Sequence, residues 1–257
     1  MGKTALVLSG GGMFGAYQAG AWRVLSQHVE PDMVIGVSVG ALNGWCIASR
    51  LPAEQLVSYW LDSEAGNLMR TRFPRTPWSG IFDPGPLERR AKILVENSQP
   101  RMDFGVVVTE LPRLRLRMFS GAEVTWKHLV ASCSVPGGFP PVRLGQGLYC
   151  DGGILEAMPL WAAVQMGATN VVAVNSLRFR PPVALRIFSR GVRAAAPARP
   201  QDHSGPSVCT VYPSALLGNF SDGSRWRRDR ILEWIRLGEE DAAAAVRSPG
   251  FPRLQHV

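Results

Sequence analysis

Long apolar runs are missing from this sequence of 257 residues. No stretch approaches the ~20 residues that a membrane-spanning helix requires, so no segment reads as one. The start, Met1-Gly2-Lys3-Thr4, leads straight into Ala5-Leu6-Val7-Leu8, which is too short an apolar stretch for the core of a signal peptide. Gly2 lacks the Ser or Thr that myristoylation needs at position six, which is Leu6. The expectation is a mature chain that begins here and a cytoplasmic location. Cysteine is scarce and scattered: Cys46, Cys133, Cys150 and Cys209 form no Cys-x-x-Cys pair, which argues against a zinc site or a disulfide framework and suits reduced thiols. No cluster of histidine, cysteine or carboxylate has ligand spacing, so neither a metal nor another cofactor is expected. Lysine is nearly absent, and the net charge of +8 therefore rests on arginine. A basic surface attracts nucleic acid or anionic lipid headgroups, or is merely solvated, and charge alone does not choose.

What is present suffices for one buried core, since 46% of the residues are hydrophobic. The expected organisation is a single domain over residues 1–257, with a core from about 4 to 177. A loop-rich stretch (178–210) and a C-terminal helical segment (211–247) follow. Leu6-Val7-Leu8 reads as a buried strand, Ala16 to Val29 as a helix, Met33 to Val37 as a second strand and Ser38 to Ser49 as a second helix. Strand, helix, strand, helix within fifty residues is a βαβ unit, so the fold is α/β with a mostly parallel sheet. Further on, helices are expected at 53–61, 87–96 and 126–132, and core strands at 106–108 and 171–174, the latter as the last. Arg113-Leu114-Arg115-Leu116-Arg117-Met118 alternates as a half-exposed strand does. Residues 178–207 lose periodicity, and Trp226 to Leu237 returns to an amphipathic helix with Ile231, Trp234 and Ile235 free to dock.

Gly36-Val37-Ser38-Val39-Gly40 is a G-x-S-x-G motif between a buried strand and a helix. A serine on such a sharp turn projects its hydroxyl from the sheet end in a strained conformation, and the flanking Gly36 and Gly40 let the chain turn. The helix N-terminus behind it favours developing negative charge. Ser38 is the candidate nucleophile; the competing reading is a serine that only caps the helix. Gly10-Gly11-Gly12-Met13-Phe14-Gly15 fits G-x-G-x-x-G. A dinucleotide loop would want an acidic residue at the end of the second strand, where this chain carries Ser38, with Glu30 and Asp32 placed before that strand. Beside a nucleophile, the backbone N–H groups of Gly10, Gly11, Gly12 and Gly15 form a candidate oxyanion hole, where losing one donor costs roughly 3–4 kcal/mol.

Two bases compete. Ser38, Asp151 and His203 stand in the chain order of an α/β-hydrolase triad, but that fold needs several strands before its serine and this chain offers one. His203 also lies in the Pro/Ala/Arg-rich stretch, and His28, His128 and His256 have poor positions. Asp151 follows the strand-like Leu148-Tyr149-Cys150 and precedes Gly152-Gly153, which allow close approach. With an ordinary pKa near 3.9, a working aspartate base must be partly desolvated.

Leu6 to Gly20 (LVLSGGGMFGAYQAG), Gly36 to Asn43 (GVSVGALN), Ala131 to Val142 (ASCSVPGGFPPV) and Asp151-Gly152-Gly153 together resemble the patatin-like phospholipases in order and spacing. The resemblance runs from about Thr4 to Asn175. It implies a three-layer α/β/α fold and hydrolysis of lipid acyl esters, as by a phospholipase A or lysophospholipase, by a Ser38–Asp151 dyad without histidine or metal. Gly10 to Gly15 would be the oxyanion loop, the substrate a phospholipid or other acyl lipid, and no nucleic acid is expected. Two positions depart from the family pattern: Phe14 stands where a basic residue is usual, and Glu156-Ala157-Met158-Pro159 where asparagine is frequent. The alternatives are a soluble esterase, thioesterase or acyltransferase with the same dyad, or a membrane-docking pseudoenzyme. Phe73, Trp78 and Phe82, flanked by Arg70, Arg72 and Arg75, read either as a lid or patch for an anionic membrane surface or as packing under a long loop.

Overall fold

The computed structural model describes residues 2–74, 76, 79–180, 190–196 and 205–252. Its centre is a sheet built on β1 (Lys3–Leu8), β2 (Met33–Val37), β3 (Asp103–Leu111), β7 (Ala168–Val174) and β9 (Ser207–Val211). These five run parallel in the order β3-β2-β1-β7-β9. Their continuous apolar runs suit strands covered on both faces. Side chains alternate between the two sides: Leu6 and Leu8 face one cluster, Ala5 and Val7 the other. The first side is covered by α1 (Gly15–Leu25), α2 (Val39–Ala48), α3 (Ala53–Leu61), α4 (Pro84–Asn97), α5 (Trp126–Cys133) and α7 (Arg228–Val246). Among the described residues, the second side is covered by α6 (Leu160–Gln165), whose Ala162 and Ala163 seat against the small side chains there. The result is the three-layer α/β/α arrangement.

Three antiparallel strands extend one end: β4 (Arg115–Ser120) and β6 (Gly147–Asp151) both pair with β3, and β5 (Val142–Leu144) pairs with β6. A small separate pair joins β8 (Phe179–Arg180) to β10 (Gly218–Asn219). All four cysteines are free thiols. Among the described residues, no helix is long and apolar enough to cross a membrane.

Local signals set the element ends. Asp83 caps α4 by accepting from the Gly85 N–H at 3.1 Å, with Pro84 in the first turn. His128, at the third position of α5, accepts from the Thr125 N–H at 3.0 Å, so this buried histidine serves a capping box. Helix α1 is buried around most of its circumference from Gly15 to Trp22, because α7 packs over the side facing away from the sheet. A Cβ at Gly20 would overlap the Ile235 carbonyl oxygen, and one at Gly238 the Tyr17 carbonyl oxygen. Ile231, Trp234 and Ile235 are buried in that contact, as the sequence pattern indicates.

Two expectations need correction. Residues 171–174 are not the last core strand, because β9 continues the sheet, with Val211 level with Val174. Nor is the whole of 178–207 irregular: residues 190–195 are helical, while 181–189 and 197–204, which include His203, lie outside the described residues. His256, Arg75 and Trp78 lie outside them as well.

Candidate active site

Strand β3 has two edges, and the pairings assign them. β4 occupies one edge along Gly105 to Glu110. The other is shared by β2, which pairs with Asp103 to Val107, and β6, which pairs with Val108 to Leu111. β2 runs parallel to β3 and β6 antiparallel, so their C-terminal ends meet head to head. Val37 is level with Val107 and Asp151 with Val108. The residue after Val37 is Ser38, whose hydroxyl stands beside the Asp151 carboxylate and favours its ionised form. Residues 113 positions apart in sequence, 38 and 151, are thus joined by the ladder of a single strand.

Ser38 has φ 57° and ψ −133°, a strained conformation for a residue with a side chain. The turn is locked by close backbone packing. A Cβ at Gly36 would overlap the Gly40 carbonyl oxygen, and one at Gly40 would lie 2.5 Å from the Leu8 and Ser9 carbonyl oxygens. The Ser38 N–H donates to Ser132 Oγ at 2.8 Å, and the Ser132 hydroxyl donates to the Val107 carbonyl at 2.8 Å, tying the turn back to β3. The Ser38 hydroxyl makes no capping bond to α2, and its N–H is spent on Ser132, so the side chain is left to face Asp151.

Asp151 is held from several sides. Its N–H donates to the Ser134 carbonyl at 3.0 Å, its carbonyl accepts from Thr109 Oγ1 at 3.1 Å, and its Oδ1 accepts from the Gly153 N–H at 2.7 Å. Gly152 packs so close to β3 that a Cβ there would lie 2.8 Å from the Val107 carbonyl oxygen. Asp151 is 2% exposed, and Ser38 8%. Burial pushes the Asp151 carboxyl up from its ordinary 3.8 to about 7, although hydrogen bonds from Ser38 and the Gly153 N–H favour the ionised form. No histidine with a described position takes part: His28 is exposed beyond α1 and His128 caps α5.

The glycine loop lies against this pair, with a Cβ at Gly10 falling 3.3 Å from Ser38 Cβ. Its four candidate donors divide. The Gly10 N–H donates to the Ala157 carbonyl at 3.0 Å, and the Gly15 N–H closes the short turn onto Gly12 and Met13. The N–H groups of Gly11 and Gly12 have no acceptor among the described residues. Their φ angles are 153° and 59°, so both positions favour glycine.

One peptide unit here is fixed by groups that carry no motif signal. The Gly10 carbonyl accepts from Ser9 Oγ at 2.9 Å and from Ser176 Oγ at 3.0 Å, and those two hydroxyls lie 3.1 Å apart. In a trans peptide the C=O and the next N–H point oppositely. Pinning the Gly10 carbonyl into the core therefore aims the Gly11 N–H outward. Gln18 braces both serines, reaching the Ser9 carbonyl at 2.7 Å, while Asn43 donates to Gln18 Oε1 at 2.9 Å and to the Gly15 carbonyl at 3.0 Å. Sequence alone does not single out Ser9, Gln18, Asn43, Ser132 or Ser176. Only Gln18 and Asn43, polar residues on helix faces otherwise destined for burial, offer a signal.

The two family departures find local reasons. Phe14 points into the core against Trp234 (ring centroids 5.0 Å) and Phe179 (5.5 Å), so its place in the loop anchors α7. Ala157 supplies the carbonyl that holds the Gly10 N–H, a backbone role open to many side chains.

Comparison with known proteins identifies the family. The patatin-like phospholipase family matches residues 6–164, more than half of the chain. A mouse relative, patatin-like phospholipase domain-containing protein 7, is 27% identical over 182 residues, covering 66% of this chain but 13% of its own length. Triacylglycerol lipase ptl2 of Schizosaccharomyces pombe is 30% identical over 172 residues, covering 56% of this chain and 26% of its own. The crystal structure of VipD from Legionella pneumophila superposes with a TM-score of 0.52 at 14% identity, over 95% of this chain and 66% of that one, which speaks to the fold. With the serine elbow, the glycine loop and the Asp-Gly-Gly turn all inside the matched span, this chain belongs to the patatin-like phospholipases, a family of lipid hydrolases.

Proposed function

We propose that the chain is a serine acyl-hydrolase of the phospholipase A or lysophospholipase type, with Ser38 as nucleophile and Asp151 as base. The observation that carries this reading is the head-to-head meeting of β2 and β6, which sets the Ser38 hydroxyl on a buried carboxylate. Above about pH 7 the carboxylate is ionised and takes the hydroxyl proton as Ser38 Oγ attacks the ester carbonyl. The carbonyl π electrons move to oxygen, and the N–H groups of Gly11 and Gly12 supply donors to that oxyanion. Collapse breaks the bond to the alcohol, which leaves with the proton from Asp151. Water then attacks the acyl-serine, Asp151 takes its proton, and the fatty acid departs as Ser38 recovers its own. A base poised near neutrality suits both directions of transfer.

A fluorophosphonate probe and a mixture of phospholipids test the proposal together. Wild-type protein should be labelled on Ser38 and should release fatty acid, and a folded Ser38→Ala variant should do neither. Ester turnover by that variant at the wild-type rate would falsify the assignment.

A further inference from the structure

The turn that carries Ser38 is flanked by two loop regions, and the contacts trace them. On one flank the Asp151 N–H donates to the Ser134 carbonyl; Gly137 and Gly138, just beyond, accept from the N–H groups of Ile81 (3.1 Å) and Phe82 (2.9 Å). On the other flank, the Gly223 carbonyl lies where a Cβ on Gly12 would stand. Both regions sit at the edge of the sheet where the parallel strands end, because Ser9, Ser38 and Tyr212 directly follow β1, β2 and β9.

The exposed large apolar side chains gather there. Phe73 (92% exposed), Ile81 and Val135 lie on the first flank, and Tyr212 (60% exposed), Leu216 and Phe220 on the second. Among the described residues, Ile93, Val208 and Leu232 are the other large apolar side chains exposed to this degree. Such a concentration marks an interaction surface. Phe82 is not part of it, since it packs on Phe139 with ring centroids 5.3 Å apart.

The charges on the same two flanks are unbalanced. Arg72 donates to the Ser79 carbonyl and Arg178 to the carbonyls of Pro213 and Ser214. Neither these two nor exposed Arg225 pairs with a carboxylate among the described residues. The nearby carboxylates already face arginines, Asp83 with Arg70 at 2.8 Å and the charge of Arg72 acting on it too, and Asp222 with Arg227 at 3.9 Å. The surface around the Ser38 turn therefore combines apolar side chains with an excess of arginine, Arg178 and Arg225 having no carboxylate partner among the described residues.

We infer that these two flanks form a docking face for a bilayer carrying anionic headgroups, seating the membrane over the end of the sheet that carries Ser38; this rests on reading Ser38 as the reacting residue. Aromatic and aliphatic side chains enter the acyl boundary while arginine meets the headgroup phosphates. The face lies where a membrane lipid would have to leave the bilayer to reach Ser38.

Co-sedimentation with sucrose-loaded vesicles tests it without turnover, comparing phosphatidylcholine alone with phosphatidylcholine containing phosphatidylglycerol at low salt. The protein should favour the anionic vesicles. Phe73→Ser/Phe220→Ser should bind them at least tenfold more weakly, since two exposed phenyl rings no longer leave water. Its kcat/KM on the soluble ester p-nitrophenyl butyrate should match wild type. Should that variant lose soluble turnover, Tyr212→Ser/Leu216→Ser carries the same comparison. No binding to either vesicle, equal binding to both, or undiminished binding by the variants would overturn the docking face. Anionic-vesicle binding by a protein that the fluorophosphonate fails to label would instead overturn the hydrolase reading and leave the docking face standing.

Discussion

Replacing Asp151 with asparagine should inactivate the protein and raise its stability relative to wild type as the pH rises, by an amount that the buried carboxyl sets. The folded chain keeps the Asp151 proton up to about pH 7, whereas an unfolded chain loses it near 3.8. Between those values folding takes up a proton, so this residue's contribution to stability declines as pH rises and levels off above about pH 7. At about 1.4 kcal/mol per pH unit, the whole decline is about 4 kcal/mol, of which about 3 kcal/mol falls between pH 5 and pH 8. The amide of the Asp151→Asn variant does not titrate. The variant's stability relative to wild type should therefore improve by about 3 kcal/mol from pH 5 to pH 8, whatever constant offset the amide introduces. Urea unfolding of both proteins at the two pH values reads this difference directly; by heat, it corresponds to roughly 5–10 °C in Tm for a chain of this size. Wild-type kcat/KM on a soluble ester should fall as pH drops below about 7, and the variant should lose orders of magnitude in kcat, because an amide cannot accept the serine proton. A stability gap that stays constant from pH 5 to pH 8 would refute the reasoning, since it would mean that Asp151 is not held protonated by its burial.

Ser176→Ala removes one of two hydroxyl donors on the Gly10 carbonyl and should lower kcat about tenfold with KM unchanged, less than the loss of a direct oxyanion donor; equal kcat would show that Ser9 alone fixes the peptide. His203→Ala should leave kcat within about twofold of wild type, whereas removing a triad base leaves only binding and the oxyanion hole; a hundredfold loss would replace the dyad by a triad. Turnover of a soluble ester should survive EDTA, because a carboxylate and backbone N–H groups already supply the base and the oxyanion donors; a loss restored by Ca²⁺ or Zn²⁺ would point to a metal site.

The parts of this structure that could be read in advance are those whose cause is local. Met33 to Val37 is apolar throughout and ends at a glycine-flanked serine, so strand, turn and helix follow from neighbouring residues alone. Asp83-Pro84 places the start of α4 by cap and ring geometry. Strand β9 escapes a reading of the sequence because Ser207-Val-Cys-Thr-Val211 is half polar and becomes a strand only by pairing with β7, far away in sequence. The free rim of α1 reads as solvent-exposed until α7, more than two hundred residues later, covers it. Within the site, motif spacing brings forward Ser38, the glycine loop and Asp151. It gives no hint of which loop N–H groups are spent, since that depends on a carbonyl at Ala157 and hydroxyls at Ser9 and Ser176. The aromatic patch is only partly legible for the same reason: Phe73 is exposed, but Phe82 finds Phe139.

The sharing of one β3 edge by two opposed strands gives the chain a built-in gauge. Any slip of β6 that keeps its side chains on their own faces must be by two residues, and would carry Asp151 about 7 Å along β3, out of reach of Ser38. No intermediate setting exists, so the spacing between nucleophile and base is quantised by the hydrogen-bond ladder rather than adjusted by the loops. The loops at the rim are consequently free to lengthen, shorten or change composition while the chemistry stays in tune. Diversification of substrate preference on this scaffold would be expected to accumulate in the 70–82 and 212–224 segments, and a designer seeking a new ester specificity would vary those and leave β3 untouched.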